Sequence, residues 1–443
     1  MEFSNLFFLY LFLPMCVGLY YLAPGMRMKN GVLILFSLLF YCLGRPIYVP
    51  LLIGIALLNF YVPKFIKGRV ALILSLSLDL GILLAFKFFS GLPFPMGISF
   101  YTFSLIAYQV DVYREPQTEG KRFWHFLLYV SFFPKMVMGP IVRYSRISSQ
   151  LANRNIDPKN IFQGCICFIL GLGKKILLAD PLFRIYEQLE THTSQLAPWI
   201  GAMSFMLYIF FEFSGYSDMA VGMGRMFGFS MSGNFCRPYT ASSISDFWRR
   251  WHISLGEFFR DYVYIPLGGN RRGRVRQTLN LLLVWLLTGL WHGFTLPFVL
   301  WGLYFFVLLN AEKVLASMRE RLPLLLRRGI TFVLIYFGWI IFAAEDFGNL
   351  IHQFVTMFYA PGRGLEPTLI VLGNSLPLLL LGMFLSVGGP WLRHKISLRL
   401  ERQSCTAEKV TAPLLLICAL MVLALCTVSL VGAAARPSMY AGF

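Results

Sequence analysis

Residues 279–306 read LNLLLVWLLTGLWHGFTLPFVLWGLYFF. An apolar run climbs to His292, and after Gly293 apolar sequence resumes at once. Such a stretch is a membrane-depth hairpin with an imidazole at its tip. An ionisable side chain at that depth is costly and marks a functional site by default. Removal from water disfavours a charged imidazolium. A neutral imidazole takes a proton from a hydroxyl, which acyl transfer to an alcohol requires. The plainer role for His292 is a hydrogen bond between helices.

Working outward, the whole chain has the same character. Its 443 residues are 57% hydrophobic, 16% aromatic and 14% charged, against roughly 25% charged in an ordinary globular domain. The solvent is therefore lipid, and one integral membrane domain over 1–443 is expected. The net charge of +18 sits in short clusters between apolar runs, as in cytoplasmic loops, which excludes nucleic acid as the partner. Cys16, Cys42, Cys418 and Cys426 lie inside apolar runs. The Cys165–Cys167 pair has no second pair or nearby His, so no metal site is expected. The acidic start MEFSN lacks the basic region of a cleavable signal, and 6–22 is taken as the first span.

About 20 apolar residues cross the hydrocarbon core. Candidate spans are 6–22, 31–44, 47–63, 70–88, 97–112, 124–139, 160–178, 196–214, 279–292, 297–316, 328–344, 368–389 and 412–433. Gly44 and Pro46 mark a turn between helices or a broken helix. The fold class is thus all-α and polytopic, with about 10–12 crossings plus re-entrant or interfacial helices. Basic clusters around 27–29, 64–69, 114–122, 319–328 and 393–402 are expected in the cytoplasm, which puts both termini outside.

Three blocks carry chemistry. The first, 235–274, reads FCRPYTASSISDFWRRWHISLGEFFRDYVYIPLGGNRRGR. Ser243 with Asp246 is a helix-start signal, and an amphipathic helix is expected over 245–264. It places Asp246 and Arg250 one turn apart, and His252 behind Arg249 and Arg250. His252 is a second chemical group, a donor-phosphate contact or a structural hydrogen-bonder. His125, His192, His352 and His394 have interfacial or loop contexts and are not site candidates.

The second block, FFEFSGYSDMAVGMGRMFGF over 210–229, puts Glu212, Ser214, Tyr216, Ser217 and Asp218 in or beside an apolar span. Its acids are expensive unless paired, with Arg225 a candidate partner. The alternative is a polar tunnel lining. Gly222 and Gly224 suit close helix packing. The third block, YVSFFPKMVMGPIVRYSRI over 129–147, contains Pro134, Gly139 and Pro140, which break a helix. Lys135, Arg143 and Arg146 would face phosphates or form a positive-inside loop. No phosphate-binding glycine loop, dinucleotide fingerprint or serine nucleophile elbow is present.

Together, FFPKMVMGPIVRYSR, EFSGYSDMAVGMGRMFGF, NFCRPYTASSISDFWRRWHISLGEFFRDYVYIPLGGNR and LTGLWHG resemble the membrane-bound O-acyltransferase family, closest to its bacterial alginate O-acetyltransferase subgroup. The motif core covers about 125–303. The resemblance implies slanted helices around a central tunnel, with His292 as catalytic residue and His252 as its supporting partner. Trp291, Ser214, Tyr216, Ser217, Asp218, Arg249 and Arg250 are tunnel candidates, Trp291 through its indole N–H. The resemblance also implies acetyl-CoA or another acyl thioester as cytosolic donor, with no bound cofactor. A glycan hydroxyl is the acceptor, reached directly or through an extracytoplasmic SGNH-type transferase. The setting is a multi-pass protein in the lipid of the bacterial cytoplasmic membrane. The competing readings are a transporter or flippase of a lipid-linked or acyl carrier, and an acyltransferase for a lipid or teichoic-acid-type acceptor.

Overall fold

A computed structural model describes residues 2–88, 94–359, 364–388 and 405–432. The basic positions Arg393, Lys395, Arg399 and Arg402, and His394, lie outside the described residues. Helices dominate, and there is no strand among the described residues. Nine described helices are long and apolar enough to cross a membrane. The bilayer explains the architecture: backbone groups in hydrocarbon must be satisfied within their own segment, which a helix does.

The chain forms two compact units. The first comprises 1–173, 215–233 and 419–443; the second comprises 174–214 and 234–418. In the first, Gly25–Gly44, Pro46–Phe65 and Gly68–Phe88 are separate spanning helices. Arg45 is extended between the first two, so Gly44 and Pro46 mark a turn. Close packing uses glycine. A Cβ on Gly222 would lie 2.6 Å from the Gly164 carbonyl oxygen, so the two backbones approach as small residues permit.

The 124–139 stretch is not one crossing. Its helix, Phe123–Ser131, stops at Phe132, and only Phe133–Met136 follows before irregular backbone. Pro134 lacks the amide hydrogen a continuous helix would need. Met138 takes a left-handed conformation, φ 54°. This irregular backbone is buried in protein, the condition under which it is tolerated at membrane depth.

In the second unit, Gly273–His292 and Leu296–Val314 form the hairpin read from the opening sequence. Two glycines set its spacing. A Cβ on Gly289 would lie 2.4 Å from the Phe298 oxygen, and one on Gly302 would lie 2.5 Å from the Trp285 oxygen. No side chain fits at either crossing. Leu324–Ala343 packs beside this hairpin.

The amphipathic helix expected over 245–264 is broken. Ile244–Trp248 and Ile253–Phe259 are separate helices, and a wider π-turn follows at Arg260–Tyr264. The predicted start holds: Ser243 Oγ accepts the Asp246 amide at 3.0 Å. The break has a local cause. Asn234 accepts the Ile253 amide on its main-chain oxygen at 3.0 Å and the Ser254 amide on its side chain at 3.1 Å. The Arg250 carbonyl accepts the Cys236 amide at 2.9 Å. The 234–236 segment thus takes the groups a continuous helix would have bonded internally.

Candidate active site

His292 is the last residue of Gly273–His292, and its helix ends there because Gly293 adopts an extended conformation. Burial leaves His292 only 8% exposed. Its ring centre lies 4.5 Å from Trp291, 4.9 Å from Phe342 and 5.2 Å from Trp301. Phe342 and Trp301 both meet it edge-on. Rings of this size exclude water and hold the imidazole's orientation by shape.

The helix break creates the second His position. Held at φ 44°, ψ 54°, His252 occupies the left-handed region, unusual for a residue with a side chain. Such strain persists only where the surroundings impose it, and it clusters at functional sites. Its ring meets Phe213 edge-on at 4.5 Å and Trp291 at 6.3 Å. Trp291 therefore touches both histidines, which makes the site continuous through one indole. Among the described residues, neither ring nitrogen of His252 has a hydrogen-bond partner. Burial lowers its pKa from 6.5 to about 3, so His252 is neutral at physiological pH and offers one acceptor and one donor.

Beside His252 lies an apolar cavity of about 230 Å³. Trp248, Leu255 and Phe259 line one side of it, and Leu281, Trp285 and Thr288 the other. The latter three recur at helical spacing along one face of Gly273–His292, and the next residue in that stripe is His292. Arg260 and Tyr264 also line it, and the arginine-rich turn follows at 271–276. Arg260 is paired with Asp261 through bonds of 2.7 and 3.0 Å.

Of the residues singled out from sequence, His252, Trp291 and His292 come together. Ser214 is buried in the same unit, immediately after Phe213. Tyr216, Ser217 and Asp218 fall in the first unit. There, Tyr216 contacts Ser4 Oγ at 3.4 Å and donates to Glu2 at 3.2 Å. Ser217 is buried, and the Asp218 carbonyl accepts from Cys167. Arg249 and Arg250 both turn to Asp246, at 3.6 and 2.9 Å.

Glu212 pairs with Lys175, not with Arg225 on its own helix. Lys175 Nζ lies 2.9 Å from Glu212 and 2.7 Å from Asp180, all buried. Sequence reading missed this network and the tryptophan walls of the cavity. A usable signal existed for Lys175, a charge set between apolar runs in LGKKILL. Thr288 stands four residues before His292 and was detectable by spacing.

The sequence profile of MBOAT, the membrane-bound O-acyltransferase family, matches residues 112–350. This chain belongs to that family. It is a multi-pass membrane O-acyltransferase, and the transporter reading is set aside. It is 37% identical to the "Probable alginate O-acetylase" of Pseudomonas aeruginosa over 81% of this chain and 75% of that protein. Identity to the "Peptidoglycan O-acetyltransferase" of Helicobacter pylori is 33%, over 78% and 77% of the two chains. The "Teichoic acid D-alanyltransferase" of Bacillus subtilis is 28% identical over 57% of this acyltransferase and 69% of its own length.

Proposed function

We propose that this acyltransferase moves an acetyl group from a cytosolic thioester, acetyl-CoA, to a hydroxyl on the extracytoplasmic side, and that His292 is the catalytic base. The relatives' names favour a glycan as final acceptor, reached directly or through an SGNH-type partner. The observation that carries the reading is the continuity of the site: an apolar slot, His252 and the Trp291–His292 pair lie along one helix.

The slot suits the extended arm of a thioester carrier, with Arg260 in its lining and the arginines of the 271–276 turn close behind in the chain for phosphates. Placing those arginines in the cytoplasm follows the positive-inside bias. In the proposed step, a neutral His292 removes the acceptor hydroxyl proton. The hydroxyl oxygen bonds to the thioester carbonyl carbon, and collapse breaks the carbon–sulfur bond. The proton then passes to the departing thiolate, leaving ester, free thiol and neutral His292. In this reading the Trp291 Nε1–H stabilises developing oxygen charge. His252 orients the donor by hydrogen bonding.

The test is acetyl-CoA turnover by protein in nanodiscs. His292→Ala is expected to abolish it, while His252→Ala leaves a residual rate. Turnover unaffected in folded His292→Ala would overturn the assignment.

A further inference from the structure

The rings around His292 form a wall. Phe342 meets the imidazole at 4.9 Å, Trp301 at 5.2 Å and Phe298 at 6.0 Å. These rings also close on one another. Phe342 lies 5.2 Å from Phe298 and 5.2 Å from Trp301, and Trp339 backs it at 5.5 Å. Trp301, Trp339 and Phe342 are each at most 2% exposed. Phe342 thus touches the imidazole and both of its partners in the wall.

The wall has little room to yield. A Cβ on Gly293 would stand 2.6 Å from Phe298 Cδ2. One turn before Phe342 on Leu324–Ala343, a Cβ on Gly338 would stand 2.6 Å from Phe305 Cζ. Phe305 is fully buried one turn after Trp301 on Leu296–Val314. The two helices that carry the wall are therefore as close as glycine permits. A close-packed interior meets added volume with strain.

Reaction geometry bounds where an acyl chain lies. A base that removes a hydroxyl proton sits about 2.8 Å from that oxygen. The oxygen attacks a carbonyl carbon about 3–3.5 Å away. The first carbon of the acyl chain is one bond further, within roughly 7 Å of the imidazole. Phe298, Trp301 and Phe342 occupy that shell on their side of His292.

We propose that Phe342 sets the acyl size, with Trp301 and Phe298 completing the wall, so that this enzyme transfers acetyl and rejects propionyl and longer chains. The inference rests on His292 as the catalytic base. Phe342 acts by contact with the acyl chain and takes no part in proton transfer. One methylene in an apolar pocket of fixed shape discriminates by about 10–200-fold.

The experiment measures kcat/KM of the full chain in nanodiscs for acetyl-CoA, propionyl-CoA and butyryl-CoA. Three variants are compared with wild type: Phe342→Leu, Phe342→Ala and Phe305→Leu. The last loosens the same helix contact one turn away from the wall. Wild type is expected to favour acetyl over propionyl at least tenfold. Each folded Phe342 variant should cut that preference at least fivefold, and Phe342→Ala should also admit butyryl. Phe305→Leu should lower all three rates together and leave their ratios in place. Unfolding temperatures check folding, and Phe342→Leu keeps the test open if Phe342→Ala does not fold. The proposal is overturned if wild type favours acetyl less than tenfold, if the folded Phe342 variants keep its preference, or if Phe305→Leu shifts it equally. His292→Ala separates the two readings. Acetyl-CoA turnover that survives in it would sink the base assignment, whereas an inactive His292→Ala with unmoved ratios at Phe342 sinks the size assignment alone.

Discussion

Replacing Gly289 by Ala perturbs the site without touching either histidine. The added Cβ would stand 2.4 Å from the Phe298 carbonyl oxygen. Ordinary contact requires about 3.4 Å, so the hairpin must open by about 1 Å. That oxygen is backbone and has no rotamer through which to yield. Overpacking of this kind costs about 1–3 kcal/mol. The larger effect is kinetic. His292 lies three residues beyond Gly289 on the same helix, and Phe298 itself stacks near the His292 ring at 6.0 Å. A displacement of about 1 Å at a reacting group lowers the rate about 10²-fold. The assay is kcat for acetyl-CoA turnover in nanodiscs, with unfolding temperature measured in parallel. Gly18→Ala, with nothing within 4 Å of the added Cβ, is expected to match wild type. If folded Gly289→Ala turns over within twofold of wild type, the close hairpin does not position His292.

Lys175→Met leaves Asp180 and Glu212 buried without their cation, and should destabilise the protein by about 3–5 kcal/mol; adding Glu212→Gln should recover part of this in denaturant unfolding. A loss below about 1 kcal/mol would show that the network is not structural. His252 gives a pH effect with a definite sign. Its folded pKa of about 3 lies below the ordinary 6.5, so the unfolded chain binds more protons between those values. Its contribution is fully present above pH 6.5 and falls with acidification by about 1.4 kcal/mol per pH unit down to pH 3. His252→Phe should therefore flatten the acid decline in unfolding temperature, and parallel curves for the two proteins would refute burial as the cause. Ser243→Ala removes the cap on the Asp246 amide and should cost about 1 kcal/mol, while Ser243→Thr should retain most of it.

Hydropathy alone separated this chain from soluble proteins, because apolar runs near 20 residues have one stable environment. It also located the hairpin ending at His292, since a lone imidazole between apolar runs is visible without coordinates. Ser243 and the Asp246–Arg250 pair were legible for the same reason: capping and one-turn pairs depend on spacing within a few residues. The break before His252 was not legible, because it depends on Asn234 capturing amides almost twenty residues away in the chain. Composition and spacing suggested Arg225 as a partner for either Glu212 or Asp218, whereas packing gave Glu212 the Lys175 of another helix. Tertiary structure alone put Trp291 between His252 and His292, and joined the cavity to the stripe below His292. Local sequence fixes what a backbone segment and its nearest neighbours do. Which distant side chains share a dry space is decided by how closely the helices pack, and here Gly289 and Gly302 set that distance.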